Sequence, residues 1–303
     1  MSSGDTGSPE TSNDEVMRKY LKPDPTNDQI IQAICQTYEK DASDVKIEKE
    51  LESYDDRNYL VKLGDTKYLC KVYNGVESQK YIACSKESDN KEKDKNSDSD
   101  SDSDSVIKPL SSIHLYSLVW NHLNQPKYKL QTSSPVPLPN HTATTTHPHV
   151  SIHSLPVTSS KHSPCALVLQ LLEWVEGNTM ASIPSLPIES LLQAGRYLGN
   201  ICLGLDDLSS GNEIARVTAD RYHAWDGKNT LDLQGFVECI GDEGRRGLVQ
   251  SVIDAFRKEF VDNIDKPQFR MGILQGDFND ANIIMNAEGD VSGCIDFGDT
   301  TYR

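Results

Sequence analysis

The chain has 303 residues, 36% of them apolar, with a formal net charge of -16 and a sequence pI near 4.9. That length suits one large or two small domains, and the low apolar content implies that part of the chain stays unfolded. The acid surplus argues against nucleic acid or an anionic membrane as the main partner.

Residues 1–15 are polar and acidic, without the basic start and apolar stretch of a signal peptide, and no later apolar run approaches a membrane span. A soluble, cytoplasmic protein is expected. The seven cysteines are widely spaced, odd in number and lack a Cys-x-x-Cys pair, which indicates neither a disulfide framework nor a zinc site. Most should be reduced and buried.

Residues 1–24 read as a disordered N-terminus. Thr26 to Tyr38 then has a helix-start residue and apolar spacing at Ile30, Ile31, Ala33, Ile34 and Tyr38, which predicts an amphipathic helix. Val45 to Leu51, Arg57 to Leu63 and Thr66 to Tyr73 read as a three-stranded meander, with Gly64-Asp65 as the second turn. Lys71 sits in the third strand between Cys70 and Val72. Buried there, it needs a phosphate or a carboxylate as partner, although strand alternation equally allows it to face solvent.

Residues 85–108 form an acidic insertion ending in the alternating Ser-Asp run from Ser97 to Ser105, which cannot bury a core. Its serines followed by an acid are candidate phosphorylation targets, though a solvated surface insertion is the simpler expectation. Ser111 to Leu123 has helical spacing. Residues 131–163 read as a mobile Ser/Thr/Pro-rich loop carrying five of the eight histidines (141, 147, 149, 153 and 162). Such a tract can bind transition metals, but no acid or cysteine is fixed nearby, so a lid or linker is expected.

Cys165 to Trp174 has the length of a buried strand, and Ile188 to Leu205 is helical in period, with Leu191, Leu192, Leu198, Ile201 and Leu205 on one side. Arg221 to Trp225 lies in a polar stretch, where His223 and Trp225 are expected to anchor a connection. Gly247 to Ile264 gives another amphipathic helix, with Val249, Ile253, Phe256 and Phe260 as its stripe. The fold class implied is α+β: a small antiparallel-sheet lobe at residues 25–170, then a hinge and a mostly helical large lobe at residues 171–303. That is a two-lobed, protein-kinase-like arrangement.

The densest chemistry lies in Gln275-Gly276-Asp277-Phe278-Asn279-Asp280-Ala281-Asn282, followed by Ile295-Asp296-Phe297-Gly298-Asp299. Phosphoryl transfer needs a carboxylate at the acceptor hydroxyl and oxygen ligands that hold magnesium against the phosphates. The apolar runs Ile283 to Met285 and Val291 to Ile295 flank a turn around Gly289, a hairpin signature. Pairing centred on Gly289 sets Asn282 opposite Asp296, roughly 5 Å apart at Cβ. Mg2+ could then bridge them, with Asp277 folded back towards the same ion.

These residues resemble the aminoglycoside phosphotransferase and choline kinase superfamily. Within it, Glu52 to Tyr59 (Glu-Ser-Tyr-Asp-Asp-Arg-Asn-Tyr), the Asn279-Asp280-Ala281-Asn282 loop and Asp296 to Thr300 resemble the hydroxylysine kinases of lysine breakdown. The likeness spans residues 25–303, interrupted by the two insertions.

The resemblance implies phosphoryl transfer from GTP, or ATP, to the side-chain hydroxyl of 5-hydroxylysine. Asp277 would orient and deprotonate that hydroxyl, Asn282 and Asp296 would hold Mg2+, and Lys71 would neutralise the α- and β-phosphates. The loop from Ser53 to Asn58 would cover the phosphates despite lacking glycine, and the hinge from Leu171 to Val175, through the backbone of Glu173 and Val175, would receive the base. Three departures stand out. Gln275 replaces the usual His, His114 falls where a helix normally brings a Glu to Lys71, and the chain reaches Arg303 where the superfamily continues with helices. From the last, an incomplete large lobe is expected. Alternatives are a kinase of another amino-alcohol, aminoglycoside or choline-type acceptor, or an inactive nucleotide-binding pseudokinase. The sequence specifies no protein partner.

Overall fold

The computed structural model describes residues 10–94, 108–139, 149–159, 164–223, 226–263 and 270–303. Helix α1 (Glu10–Tyr20) occupies much of the N-terminus expected to be disordered. Leu21, only 3% exposed, anchors it in the core beside Met17. The correction has a physical cause: α1 is held by ion pairs to distant residues, which local composition does not reveal.

Helix α2 (Asn27–Tyr38) starts at Thr26 in a full capping box, with the Gln29 amide donating to Thr26 Oγ1 and the Thr26 amide donating to Gln29 Oε1. Its buried face, Ile30, Ala33, Ile34 and Tyr38, lies against the sheet. Strands β1 (Val45–Leu51), β2 (Arg57–Leu63) and β3 (Thr66–Val72) form the meander, turning between β2 and β3 at Gly64 with φ +60°. Helix α3 (Gly75–Asp94) follows directly and extends into the first part of the acidic insertion. Lys and Glu in residues 86–94 are good helix formers, so the helix continues past the core without apolar support. The Ser97 to Ser105 run lies outside the described residues.

Helix α4 (Ser112–Leu123) crosses to the second lobe. Strand β4 (Ser151–Leu155) lies within the segment expected to be a mobile loop; it pairs antiparallel with β5 (Cys165–Glu173) and gives the sheet order β1-β2-β3-β5-β4. Pairing to β5 supplies the hydrogen bonds that a Ser/Thr-rich sequence does not advertise. His153 is tied to Thr37 Oγ1 and Ser151 Oγ, both at 2.9 Å, while His141, His147 and His162 lie outside the described residues.

Strand β6 (Asn178–Thr179) leads to α5 (Ile188–Gly211), longer than expected and turned differently. Leu191 and Leu192 are 49% and 56% exposed, whereas Ser190, Ala194, Ile201, Leu205 and Leu208 are buried. The small residues set this face: Ser190 Oγ donates to Gly289 O at 2.8 Å, and a Cβ on Gly204 would lie 2.5 Å from Leu123. Helices α6 (Glu213–Ala219) and α7 (Glu243–Glu259) flank a long 3-10 segment, Gly227–Cys239. On α7 only Ile253 of the expected stripe is fully buried. Strands β7 (Ile273–Leu274), β8 (Ile283–Met285), β9 (Val291–Cys294) and β10 (Thr301–Tyr302) complete the chain as a β6-β8-β9 sheet and a β10-β7 pair.

One core lies between α2 and the five-stranded sheet, and a second joins α4, α5, Leu172 and Phe297. The fold is therefore α+β, with an antiparallel-sheet lobe joined through β5 to a helical lobe that carries the β8–β9 hairpin. Among the described residues no helix is long and apolar enough to cross a membrane. None of the seven cysteines is in a disulfide, but only Cys70 and Cys294 are fully buried.

Candidate active site

The segment from Gln275 to Asn282 leaves β7 and is forced into shape at Gly276. There φ is +84° and a Cβ would lie 2.2 Å from Asp299 O, so only glycine lets the two backbones touch. Gln275, 4% exposed, is the brace between the two halves of the motif. Its Nε2 donates to Asp296 O at 2.8 Å, and its Oε1 accepts the Asp277 amide at 2.7 Å. A side chain that both donates and accepts is required there, and Gln meets the requirement.

The Asp277 carboxylate accepts one amide on each oxygen, Asn279 Nδ2 on Oδ1 at 2.7 Å and Asn282 Nδ2 on Oδ2 at 2.8 Å. Asn282 Nδ2 also donates to Asp277 O. Two side-chain amides thus hold this carboxylate in one orientation, with no cation paired to it among the described residues.

The hairpin register differs from expectation. Ile283 pairs with Cys294 and Ile284 with Gly293, then an irregularity shifts Met285 to Val291; the Ile295 amide donates to Asn282 O. Asn282 therefore faces Ile295 rather than Asp296. The turn closes from the Asn286 amide to Asp290 O and so centres on Glu288, one residue before Gly289; the irregularity beyond it shifts the outer pairs by one, leaving them one residue from the expected pairing. Asp296 instead leaves the strand in the left-handed region, φ +57°, with its Oδ1 accepting the Gly298 amide at 2.9 Å. An aspartate held at positive φ by its own hydrogen bond is a strained, built feature.

Lys71 enters the same space from the sheet. Its neighbours Cys70 and Val72 point into the core, so alternation turns Lys71 towards the cleft, where its Nζ lies 2.9 Å from Asp56 Oδ2. Burial disfavours its charge, but Asp56 first and Asp296 second hold its pKa well above the ordinary lysine value. The carboxylate partner thus comes from the β1–β2 loop, fifteen residues upstream in sequence, not from a helix. His114, the position aligned for that role, bonds Ser111 Oγ through Nδ1 at 2.8 Å and stacks on Tyr81.

A cleft of about 2360 Å3 separates the lobes. Lys71, Ser53, Asp277 and Asp296 line it; Asn58, Glu173, Val175 and Asn282 do not. Asn58 stands opposite Lys71 across β2–β3, its Oδ1 buried without a partner. At the hinge, the Glu173 amide already donates to Ser134 O and Leu171 O accepts from Val136, both at 2.8 Å, because residues 134–136 run alongside β5. Val175 packs its side chain against Gly293.

Arg221 and Tyr116, given no role in the sequence analysis, and His223, expected there to anchor a connection, complete the far wall. Arg221 Nη2 and Tyr116 OH both donate to Gly298 O, at 3.0 and 3.2 Å. His223 Nε2 lies 3.3 Å from Asp299 Oδ1. Burial, then Arg221 and Arg18, lower the His223 pKa to about 4, so this contact is between a neutral imidazole and a carboxylate rather than an ion pair. Burial, then Asp277 and Asp296, raise the Asp299 pKa. Trp225 lies outside the described residues.

Among the described residues no three His, Cys, Asp or Glu side chains cluster as a metal cage. The donor set nevertheless suits Mg2+, which is commonly held by one or two protein oxygens plus substrate phosphates. Asp296 offers a carboxylate at the cleft, and Asn282, which spends its amide nitrogen on Asp277, keeps its amide oxygen uncommitted.

A family model described as "Phosphotransferase enzyme family" matches residues 129–303, more than half of the chain. The chain belongs to the phosphotransferase enzyme family. Among curated phosphotransferases it is similar to hydroxylysine kinase of Bos taurus, 27% identical over 160 residues, covering 50% of this chain and 41% of that protein. It is also similar to hydroxylysine kinase of Danio rerio, 24% identical over 286 residues, covering 93% and 67%. The chain thus spans from about two fifths to two thirds of the length of these two relatives. Among solved structures, the GDP complex of an aminoglycoside 2'-phosphotransferase aligns with a TM-score of 0.54 at 12% identity, over 91% of this chain and 73% of that one. A microcompartment-associated aminopropanol kinase aligns with a TM-score of 0.52 at 14% identity, over 91% and 70%. These structures share the two-lobed phosphotransferase fold.

Proposed function

We propose that this phosphotransferase moves the γ-phosphoryl group of GTP, with ATP as the alternative donor, to the side-chain hydroxyl of 5-hydroxylysine, a step of lysine breakdown. One observation carries the reading: an uncompensated, amide-oriented carboxylate, Asp277, shares a cleft with Asp296 and Lys71. The names of the relatives above, and the GDP bound to one structural neighbour, support the acceptor and donor chosen.

In this mechanism Asp277 accepts the proton of the acceptor hydroxyl as its oxygen bonds to the γ-phosphorus. The bond from that phosphorus to its bridging oxygen breaks, and the nucleoside diphosphate leaves. Lys71 neutralises phosphate charge. Asp296 and Asn282 would hold Mg2+, whose chemistry is to offset charge on the β- and γ-phosphate oxygens. Ser53 would border the phosphates, whereas Asn58 does not line the cleft, and the Glu173 to Val175 hinge, which does not line it either, would meet the base only if residues 134–136 moved off β5. The cleft's acidic wall, Asp277, Asp296 and Asp299, suits an acceptor carrying ammonium groups.

Nucleoside diphosphate release, measured with GTP and ATP against 5-hydroxylysine, choline, ethanolamine and an aminoglycoside, tests the proposal. Turnover led by 5-hydroxylysine is expected. Turnover led by another acceptor would reassign the substrate, and magnesium-dependent nucleotide binding with no turnover on any acceptor would favour a pseudokinase.

A further inference from the structure

The N-terminal helix α1 lies outside the segment matched by the family model, yet Arg18, in its last turn, reaches into the cleft. Arg18 Nη1 lies 2.5 Å from Asp55 Oδ2 in the β1–β2 loop, and its Nη2 pairs with Glu77 Oε1 at the start of α3. The second oxygen of Glu77 accepts Ser112 Oγ from α4. One guanidinium therefore ties together the loop, α3 and, through Glu77, α4.

The connection runs on to Lys71. Arg18 O accepts Asn74 Nδ2 at 2.8 Å, the same nitrogen donates to Asp55 O at 3.0 Å, and the Asn74 amide donates to Asp56 Oδ1 at 2.7 Å. The other oxygen of Asp56 holds Lys71. Just after α1, Lys22 Nζ donates to Ser53 O and Tyr54 O, at 3.0 and 2.9 Å, so the loop is gripped at both ends. Side chains in this chain of contacts are shielded, with Arg18 25% exposed, Glu77 14%, Asp56 13% and Lys71 15%. Ion pairs this sheltered are screened far less than surface pairs.

The charge balance shows what Arg18 is needed for. Asp55 pairs with Arg18, Asp56 with Lys71, and Glu77 with Arg18 and, at 4.0 Å, Lys80. Without Arg18, Asp55 would lose its ion-pair partner and repel Asp56, and the phosphates of a nucleotide would meet that unscreened negative charge beside Lys71.

We infer that Arg18 is a positioning residue of the nucleotide site, which sets Lys71 for phosphate through the Asp55-Asp56 loop, so that α1 is part of the donor-binding machinery. The inference rests on the phosphotransferase reading above. It requires Arg and not merely a cation, because only the guanidinium fork serves two carboxylates at once.

The test is the affinity of the whole chain for Mg-GTP and Mg-ATP by calorimetry, with KM for nucleotide and acceptor measured separately. Arg18→Ala is expected to raise the nucleotide Kd about tenfold, within the usual range for coupled sites, and to raise the nucleotide KM with little change in acceptor KM. Arg18→Lys, which keeps charge and most of the length, should show a smaller rise and decides the matter if Arg18→Ala does not fold. In an Asp56→Asn background, Arg18→Lys should have no further effect, since its route to Lys71 is already cut. An unchanged Kd in Arg18→Lys, or an effect that persists undiminished beside Asp56→Asn, would overturn the inference. Wild-type protein that binds neither nucleotide would instead overturn the functional reading beneath it.

Discussion

Gln275→Ala is the most instructive perturbation of the site. Gln275 is 4% exposed and makes two hydrogen bonds, to Asp296 O at 2.8 Å and from the Asp277 amide at 2.7 Å. Alanine leaves a part-buried carbonyl and a part-buried amide without this partner, each worth about 1 kcal/mol because water can reach them in part. The expected loss of stability is about 2 kcal/mol. Because the two bonds end on the residues assigned to the acceptor hydroxyl and to Mg2+, both segments also lose their mutual placement, and a displacement of about 1 Å costs roughly a hundredfold in rate. Urea unfolding midpoints and nucleotide turnover measure the two effects. Gln275→His restores a donor and an acceptor in one side chain and should recover much of both. A Gln275→Ala protein within about 0.5 kcal/mol of wild type, turning over normally, would refute the idea that this side chain aligns the site.

Two further outcomes follow from the same geometry. Gly276→Ala forces a Cβ into Asp299 O at positive φ, a strain of at least about 1–3 kcal/mol, so the catalytic segment should shift and activity fall by more than stability; an alanine variant with normal kcat would contradict the contact. His223 titrates at about 4 in the folded chain against about 6.5 unfolded, so the unfolded form takes up a proton first as pH falls. Stability from this residue is intact above pH about 6.5 and is lost towards pH about 4, by about 2 kcal/mol between pH 7 and 5. Urea midpoints of His223→Gln should lack that part of the pH slope; an identical slope would show that His223 is not held neutral.

The contrast between what was legible in the sequence and what was not follows contact range. Helix α2 and the β1–β3 meander were readable because a capping box and strand alternation act within a few residues. The motif from Gln275 to Asn282 named its own chemistry, and Lys71 announced the need for a partner. That partner, Asp56, sits fifteen residues upstream in a loop whose inward turn depends on Lys22, Arg18 and Asn74. Helix α1 escaped notice for the same reason, since Arg18 finds its carboxylates 37 and 59 residues away. The hairpin was legible but not its register, because the turn centres on Glu288 rather than Gly289 and the irregularity at Ile284/Met285 makes up only part of that offset. Leu191 and Leu192 look like core by period, and only the close approach of α5 to the hairpin through Ser190 shows why they face outward.

The central claim is covalent transfer of phosphate with Asp277 as the base. The direct measurement is tandem mass spectrometry of 5-hydroxylysine after incubation with the whole chain, magnesium and GTP or ATP, beside an Asp277→Asn control. The account predicts a phosphate ester on the side-chain hydroxyl, with the yield falling about 10²- to 10⁴-fold in the control while nucleotide binding stays near wild type. Phosphorylation at an undiminished rate with Asp277→Asn, or nucleotide binding with no phosphorylated product, would contradict it.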